Sequence, residues 1–349
     1  MSKTIYVNGR FLTQEITGIQ RFSYEICKAL ISKGVGMVIL APKKIRPEYI
    51  LKCKIVQFGF FSDILWEQID LPLFLMRQNN PFLFNPGSPG PIFYSNRIVT
   101  IHDLSFFIHP EWFSKLYQLY YRFVTPMTAR RSKSVVTVSE FSKEEIIRLI
   151  GLPEGKITVI NNAVSSSVQK GPSVNTTSQD PYIFSVGSLD PRKNIARLVR
   201  AYEMAGIGNE IKLILAGRSD PIFNMELSQE IVAYSKGYLP DDEISSFYEN
   251  ATLFVYPSLY EGFGIPPLEA MSMGCPVVLS DIPVFREIFG DAAYYVNPLD
   301  SGSIRDGISL VLSDEPLRRE LMGRGYERAK MYDWESSADK LASLIHSIS

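Results

Sequence analysis

The sequence of 349 residues is poor in the features that define several common classes of protein. It has three cysteines, Cys27, Cys53 and Cys275, which lie far apart and form no C-x-x-C pair, and it has three histidines. Such scattered residues exclude a disulfide-stapled fold and give no set with the spacing of zinc ligands. They are typical of a cytosolic protein whose thiols are reduced and buried.

Charge and hydrophobicity exclude further classes. The 36 Lys and Arg residues nearly balance the 37 Asp and Glu residues, so the net charge does not indicate nucleic-acid binding. No apolar run reaches the roughly 20 residues of a membrane-spanning helix, and the start, MSKTIYVNGRF, has too short an apolar run for a signal peptide. No G-x-G-x-x-G opens a helix after a strand, which disfavours a Rossmann dehydrogenase. We therefore expect a cytoplasmic protein.

What is present is the strand–helix alternation typical of α/β proteins. In the first half, short apolar runs alternate with amphipathic segments. They predict strands at 4–8, 38–41, 55–58, 81–85, 97–102 and 134–139, and helices at 18–32, 65–77 and 141–149. This alternation predicts a parallel sheet with helices on both faces.

A polar stretch, residues 165–180, ends this first array. It is rich in Ser, Thr and Gly and has no periodicity, as expected of a linker. The second array has predicted strands at 182–186, 212–216, 252–256 and 276–279, and predicted helices at 195–205, 225–234, 243–249 and 267–273. Two such arrays predict two Rossmann-like domains, 1–168 and 180–333, that face each other across a cleft.

The most informative stretch is LFVYPSLYEGFGIPPLEAMSMGCPVVL, residues 253–279. A strand ends in a glycine-rich loop, and Pro266 and Pro267 then open a helix. Two carboxylates, Glu261 and Glu269, lie at the entrance of that helix, and Glu269 is predicted in its first turn. A helix N-terminus has unpaired N–H groups and a positive dipole end. Acceptors for sugar hydroxyls and donors for phosphate oxygens together indicate a nucleotide-sugar site.

This stretch resembles the signature of the family 4 retaining glycosyltransferases, whose E-x7-E motif falls on Glu261 and Glu269. The resemblance implies the GT-B fold of two Rossmann-like domains. It implies that Glu261 acts in catalysis by binding hydroxyls of the transferred sugar, and that Glu269 binds the ribose of the donor. The backbone of the loop between them is expected to bind donor oxygens at Gly262, Phe263 and Gly264.

A second string, GSLDPRKN at 187–194, follows a predicted strand and opens a helix. Two adjacent cations at a helix start, Arg192 and Lys193, oppose the helix dipole unless an anion lies between them. By resemblance, both are catalytic residues that stabilise the leaving nucleotide diphosphate. Many relatives carry a cation directly after the glycine, where this chain has Ser188. Ser188 is therefore expected to contact the donor, and Arg192 to supply the missing charge.

Four more positions are assigned by resemblance. Gly18, at the start of the first helix, resembles a loop that approaches either the donor phosphates or the acceptor. His102, in IHDLSFFIHPEWF, is expected to position the donor sugar or bind the acceptor, with a core histidine as the alternative; Asp103 orients that imidazole or binds an acceptor hydroxyl. Leu239, in GYLP, resembles a loop that holds the base, with a plain turn as the alternative. A last helix, about 334–349, is expected to pack back on the N-terminal domain.

The resemblance implies a retaining hexosyltransferase that uses no cofactor. The chain has no D-x-D triplet, which argues against the glycosyltransferases that hold a metal on the diphosphate. GDP-mannose is the expected donor, with UDP-hexoses and dTDP-rhamnose as alternatives. The expected acceptor is a glycan or lipid-linked oligosaccharide of a surface polysaccharide such as O-antigen. A nucleotide-sugar epimerase of the same architecture and a non-catalytic sugar-nucleotide-binding subunit are the rival hypotheses.

Residues 112–133, WFSKLYQLYYRFVTPMTARRSK, interleave aromatic and basic side chains. Such a stretch can lie on an anionic membrane surface, where it would give access to a lipid-linked acceptor. A helix that packs its aromatic side chains inward is the alternative. Peripheral attachment to the inner face of a membrane is therefore an open hypothesis.

Overall fold

The computed structural model describes residues 4–165, 168, 181–188, 190–217 and 229–348. Most of the predicted linker at 165–180, the first part of the predicted helix at 225–234, and Leu189 lie outside the described residues. The chain forms two compact units. Unit 1 consists of Met1–Phe107, Leu119–Asn162 and Asp333–Ser349, and unit 2 consists of Ile108–Gln118 and Ala163–Tyr332.

Among the described residues of unit 1, seven strands form one parallel sheet in the order β3-β2-β1-β4-β5-β6-β7. They are β1 Ile5–Asn8, β2 Met37–Ala41, β3 Lys54–Gln57, β4 Leu83–Asn85, β5 Arg97–Thr100, β6 Ser134–Thr137 and β7 Ile157–Val159. The first six follow the Rossmann order. The sequence pattern missed β7, which is only three residues long.

Among the described residues of unit 2, five parallel strands lie in the order β12-β11-β10-β8-β9. They are β8 Tyr182–Val186, β9 Lys212–Ala216, β10 Leu253–Tyr256, β11 Val277–Ser280 and β12 Tyr294–Val296. A parallel bridge from Leu215 to Ser235 extends the sheet beyond β9. The prediction of an α/β protein with two Rossmann-like units is confirmed.

Within the described ranges, helices follow most of the strands. They are α1 Gly18–Ser32, α2 Asp63–Leu65, α3 Leu71–Arg77, α4 Ser105–Ile108, α5 Lys115–Arg131, α6 Glu140–Ile150, α7 Ile195–Ala205, α8 Gln229–Tyr234, α9 Asp241–Asn250, α10 Ile265–Ser272, α11 Pro283–Phe289, α12 Ser301–Ser313, α13 Glu315–Ala329 and α14 Trp334–Ile348. A π-helical turn, Trp66–Asp70, joins α2 to α3. In unit 1, α14 packs on α1, where Lys33 pairs with Asp339 at 2.8 Å.

Most strands are buried because helices cover both faces of each sheet; β3, at the edge of the unit 1 sheet, is not. All four residues of β10 are buried, and Phe184 and Phe254 are fully enclosed in unit 2. Burying one such side chain contributes about 1.5–3 kcal/mol. The rigid sheet therefore fixes where each strand ends and the next loop begins.

The strand order of each sheet reverses at one point. In unit 1 this switch point lies between β1 and β4, and in unit 2 between β8 and β10. Loops on either side of a switch point leave in opposite directions, which opens a crevice at the carboxyl ends of the strands, where ligands bind. Each unit therefore places one candidate site at that edge.

Candidate active site

The loops after β8 and β9 in unit 2 are held in direct contact. A Cβ at Gly217, where φ is 148°, would lie 1.7 Å from the carbonyl oxygen of Gly187, so no other residue fits without moving the backbone. The N–H of Gly217 donates to the carbonyl of Gly237 at 2.8 Å. The predicted base-binding loop, which includes the largely buried Leu239, therefore adjoins the predicted phosphate-binding loop.

The phosphate-binding loop is a short turn that is fixed at both ends. Asp190 begins it: one carboxylate oxygen accepts from the N–H of Arg192 at 2.9 Å, and the other accepts from the hydroxyl of Ser188. Asn194 ends it with φ at 59°, and its side chain donates to the carbonyl of Pro257 at 3.0 Å. The two cations inside the turn are thus presented from a rigid backbone.

These cations meet the first glutamate of the E-x7-E pair. The Nζ atom of Lys193 lies 2.5 Å from Oε1 of Glu261 and 2.5 Å from the hydroxyl oxygen of Tyr256, the last residue of β10. An Nη atom of Arg192 lies 3.8 Å from the other carboxylate oxygen of Glu261. Lys193 and Glu261 are both buried, so the pair is formed away from bulk water.

Burial dominates the ionisation of this cluster. It lowers the pKa of Lys193, and the charge of Glu261 offsets this only in part. Burial alone would raise the pKa of Glu261, but Lys193 and Arg192 hold it below its ordinary value. Burial also raises the pKa of Tyr256 well above its ordinary value, so near neutral pH the carboxylate is ionised and the phenol protonated.

The second glutamate lies further along α10 than predicted. The helix begins at Ile265, so Glu269 is its fifth residue and not part of the first turn. Gly264 precedes the helix with φ at 110°, and a Cβ there would lie 2.9 Å from the Phe285 ring and 3.1 Å from the Phe289 ring. This glycine is what lets the loop turn into the helix against the aromatic core.

Glu269 is buried and has a tyrosine partner. The hydroxyl of Tyr248, from α9, donates to its Oε2 atom at 3.2 Å. In the loop before the helix, Phe263 turns its ring inward and packs edge-on against Tyr332 at 5.4 Å. The E-x7-E pair thus lies between buried tyrosines.

The remaining predicted residues lie in unit 1. His102 is half-buried: its Nε2–H donates to the carbonyl of Pro86 at 2.9 Å, its ring packs against Phe22, and desolvation lowers its pKa, which favours the neutral form. Asp103 accepts from the N–H of Ser105 at 2.9 Å and so caps α4. Gly18 is the first residue of α1, after a capping box.

Sequence reasoning missed the partners of the predicted residues. In unit 2 these are Asp190, Tyr248 and Tyr256, of which Asp190 and Tyr256 lay inside recognised strings. In unit 1 it missed a buried polar cluster at the switch point, which consists of Asn8, Arg10, Glu67, Asn85 and Ser88. The available signal was that Asn8 and Asn85 each end a strand.

Two Rossmann-like units, the second with a basic turn facing a buried glutamate, define the class of glycosyltransferases with the GT-B fold. The model of the glycosyl transferases group 1 matches residues 170–328, and that of Glycosyltransferase Family 4 matches residues 16–168. O-antigen chain mannosyltransferase B of Escherichia coli is 34% identical over 268 residues, which cover 71% of this chain and 70% of that relative. The chain belongs to this family of glycosyltransferases, as the resemblance implied.

Other relatives match over shorter spans. The O-antigen chain mannosyltransferase RfbU of Salmonella typhimurium is 34% identical over 220 residues, which cover 61% of this chain and 60% of the relative. The serotype-specific mannosyltransferase WbdA of Escherichia coli is 29% identical over 230 residues, which cover 60% of this chain and 28% of the relative. Most of the WbdA polypeptide thus has no counterpart in this alignment.

Solved structures share the fold over nearly the whole chain. Sucrose-phosphate synthase from Thermosynechococcus elongatus superposes with a TM-score of 0.78 at 19% identity, covering 99% of this chain and 98% of that one. HepE of Anabaena, solved in complex with UDP-glucose, superposes with a TM-score of 0.76 at 15% identity, covering 99% of both chains. Identities this low show the fold alone, and the GT-B prediction is confirmed.

Proposed function

We propose that this chain is a retaining mannosyltransferase that moves mannose from GDP-mannose to a glycan or lipid-linked oligosaccharide in the synthesis of a surface polysaccharide such as O-antigen. Three relatives named mannosyltransferases support the donor sugar. The observation that carries the proposal is the contact of Lys193 and Arg192 with Glu261 at the carboxyl edge of the unit 2 sheet. UDP-hexoses and dTDP-rhamnose are the alternative donors.

The cluster has the charges that transfer from a nucleotide diphosphate needs. As the bond from the anomeric carbon to the diphosphate oxygen breaks, negative charge grows on the departing phosphate. Lys193 and Arg192 stabilise that charge, and such stabilisation is usually the largest contribution to catalysis. The acceptor oxygen attacks the face from which the diphosphate leaves, and its proton passes to the departing phosphate oxygen, so that configuration is retained without a protein nucleophile.

Donor binding changes the partner of Lys193. Without donor, its ammonium is neutralised by Glu261, which is itself the proposed acceptor for a sugar hydroxyl. An arriving diphosphate competes with Glu261 for the ammonium and raises the pKa of Lys193, because an added anion favours the charged form. The carboxylate is then released to accept a hydrogen bond from the sugar. In this proposal the two cations and the helix N-termini supply the neutralisation, and no metal or other cofactor takes part.

The other residues complete the proposed donor site. Glu269 binds the ribose, Leu239 holds the base through its loop, and Ser188 contacts the phosphates. The backbone of the loop before α10 binds donor oxygens at Gly262, Phe263 and Gly264. In unit 1, Gly18, His102 and Asp103 are proposed to contact donor or acceptor; the neutral His102 offers its Nδ1 atom as an acceptor, because Nε2 is engaged by Pro86.

Thermal melting with GDP, UDP, dTDP or ADP, each in EDTA, tests the donor class. A ligand present at about 100 times its dissociation constant adds roughly 2.7 kcal/mol to the stability. We expect GDP to give the largest shift, and GDP-mannose with an acceptor to yield the α-anomer, measured by proton NMR. Replacing Glu261 with Gln should lower the rate more than the donor affinity. Turnover of UDP-GlcNAc without acceptor would indicate the epimerase instead. No shift with any nucleotide would favour a non-catalytic scaffold subunit.

We also propose that unit 1 lies on an anionic membrane surface. Among the described residues, no helix is long and apolar enough to cross a bilayer. The aromatic side chains of the predicted stretch at 112–133 mostly turn inward; Trp112 and Phe113 are buried, as the alternative interpretation expected. Leu119 and Phe123 on α5 are exposed, however, and Arg122 lies between them.

A second exposed apolar row runs along the neighbouring helix from α2 to α3. The two helices are adjacent, because Gln68 donates to the hydroxyl of Tyr120 in α5 at 3.2 Å and accepts from the N–H of Ile92 at 2.9 Å. The Arg131 guanidinium lies 6.0 Å from the exposed ring of Phe93. We define the apolar surface as Phe60, Leu65, Ile69, Leu73, Met76, Phe93, Leu119 and Phe123, all exposed. Apolar side chains flanked by arginines suit an anionic bilayer.

Vesicle co-sedimentation tests this surface. We expect binding to phosphatidylglycerol vesicles that is lost in Leu73→Glu and weakened by Arg122→Glu with Arg131→Glu. Leu299→Glu, at an exposed position of unit 2, is the matched control. Arg130 is a poor test position because it donates to the carbonyl of Ile150 at 2.8 Å and so supports the fold. Equal binding of Leu73→Glu and the parent protein would contradict the proposal.

A further inference from the structure

Each glutamate of the E-x7-E pair lies in a cluster with its own buried tyrosine. Tyr248, from α9, donates to Glu269, and Tyr256, from the end of β10, accepts from the same Lys193 ammonium that pairs with Glu261. Both tyrosines are 2% exposed or less. A buried hydroxyl beside a carboxylate fixes the orientation of that carboxylate, because the hydrogen bond to a charged group is strong and directional.

The Tyr256 hydroxyl lies beside the ion pair of Lys193 and Glu261. It accepts a hydrogen bond from the ammonium of Lys193 at 2.5 Å, and the Lys193 Nζ atom lies 4.9 Å from the centre of the same ring. The same ammonium donates to Oε1 of Glu261 at 2.5 Å, so Lys193 links the phenol to the carboxylate. Tyr256 thereby sets the position of the ammonium and, through it, that of the carboxylate.

The Tyr248 hydroxyl is held by ring packing. Its ring lies 5.5 Å from that of Phe184 and 5.4 Å from that of Phe254, edge-on in both cases. These phenylalanines come from β8 and β10, the two strands that flank the switch point. The position of Glu269 is therefore set by the sheet itself, through a ring that has no room to turn aside.

We propose that Tyr248 and Tyr256 are positioning residues, one for each glutamate. Tyr248 fixes Glu269 for nucleoside binding. Tyr256 fixes Glu261 and Lys193 for the sugar and the departing phosphate. This inference rests on the proposed function and extends it to two residues that contact no substrate.

The experiment removes one oxygen atom at a time. Tyr248→Phe should weaken the affinity for GDP about 10-fold, the loss expected for one hydrogen bond to a charged group, while kcat stays unchanged. Tyr256→Phe should lower kcat about 10-fold with GDP affinity within about 2-fold. It should also move the acidic limb of the kcat/KM profile to higher pH, because an ammonium of Lys193 that is held less firmly beside Glu261 favours the charged carboxylate less. Tyr202→Phe is the control, since its hydroxyl donates to the backbone carbonyl of Ile211 at 2.7 Å.

The outcomes distinguish a failure of the proposed roles of the tyrosines from a failure of the proposed function. If Glu269→Gln leaves GDP affinity unchanged, the proposed ribose contact itself is wrong. If Glu269→Gln weakens GDP binding and Tyr248→Phe does not, only the inference is overturned. It is also overturned if both tyrosine variants change affinity and kcat alike, or if the acidic limb of Tyr256→Phe stays in place. Ligand-free melting of each variant identifies any loss that comes from unfolding.

Discussion

The two units each place an arginine at the same edge of the same kind of sheet, yet the two arginines are held differently. In unit 1, Arg10 lies 2.9 Å from Glu67 and 2.9 Å from Asp63. In unit 2, Arg192 lies 3.8 Å from Asp190 and 3.8 Å from Glu261. The guanidinium of Arg10 makes close contacts with both carboxylates, whereas that of Arg192 lies farther from the carboxylates of Asp190 and Glu261.

The surroundings of the two arginines deepen this contrast. Beside Arg10, the Asn8 amide donates to Glu67 at 2.7 Å, to Asn85 at 3.0 Å and to Ser88 at 3.2 Å, so the ends of β1 and β4 are tied together. The polar groups of this cluster use one another as partners. It joins strand ends, whereas the unit 2 cluster has its cations on a turn that faces the Glu261 loop. The same position in the topology can therefore hold strand ends together or bind a ligand.

The largest expected effect comes from the unit 2 cation. Lys193→Met should lower kcat about 10²- to 10³-fold, because it removes a charge that stabilises the leaving diphosphate. Lys330→Met, at an exposed lysine of the same unit, should leave the rate unchanged. Steady-state assays with GDP-mannose check both variants, and a fall of less than about 3-fold in Lys193→Met would remove this residue from catalysis.

The unit 1 cluster should respond in stability instead. Arg10→Met leaves the fully buried Glu67 without its charged partner, and breaking a buried pair in this way costs about 3–5 kcal/mol. Urea unfolding followed by circular dichroism measures that loss. At a temperature where the variant is folded, its GDP affinity should equal that of the parent protein. An unchanged free energy of unfolding would mean that the cluster does not stabilise the fold.

The pH dependence of the unfolding free energy should differ between the parent protein and Glu261→Gln, which has a neutral side chain of the same shape. Its pKa in the folded state lies below the ordinary value of 4.5, so its ion pairs contribute stability above that pH. This contribution is lost as the pH falls through the lower, folded-state pKa. The difference in unfolding free energy between the parent and Glu261→Gln should therefore be constant near neutral pH and shrink in acid. A difference that does not change with pH would show that the charge of Glu261 is irrelevant to stability.

The smallest expected effect lies away from both clusters. The hydroxyl of Ser139 accepts from the N–H of Ser142 at 3.0 Å and caps α6 of unit 1. Ser139→Ala should cost about 1 kcal/mol, and the carboxylate of Asp300, which caps α12 of unit 2, gives a matched substitution of similar size. Calorimetric melting measures both. A change of kcat in either variant would show that these helix caps affect catalysis as well as stability.

Local patterns explain what the sequence could predict. Most strands and the basic turn carry their signals in short, contiguous strings, and Glu261 and Glu269 stand in one recognisable loop. Strands β7 and β12 have only three residues each, and the sequence pattern predicted neither. The start of α10 was misplaced because Gly264, not a proline, begins the turn into the helix.

Partners that are distant in sequence could not be predicted. Arg10 and Glu67 are 57 residues apart, and Lys193 and Glu261 are 68 apart. No periodicity records which strand ends will meet, since that depends on the strand order of the sheet. The same reason hid Tyr248, whose sequence context is an ordinary amphipathic helix.

The central claim is that the unit 2 cluster binds a nucleotide diphosphate and the unit 1 cluster does not. Calorimetric titration of GDP in EDTA, into the parent protein, Lys193→Met and Ser88→Ala, tests it most directly. The account predicts binding to the parent, about 10-fold or greater weakening in Lys193→Met, and no change in Ser88→Ala. Equal affinities for the parent and Lys193→Met, or a loss confined to Ser88→Ala, would contradict it.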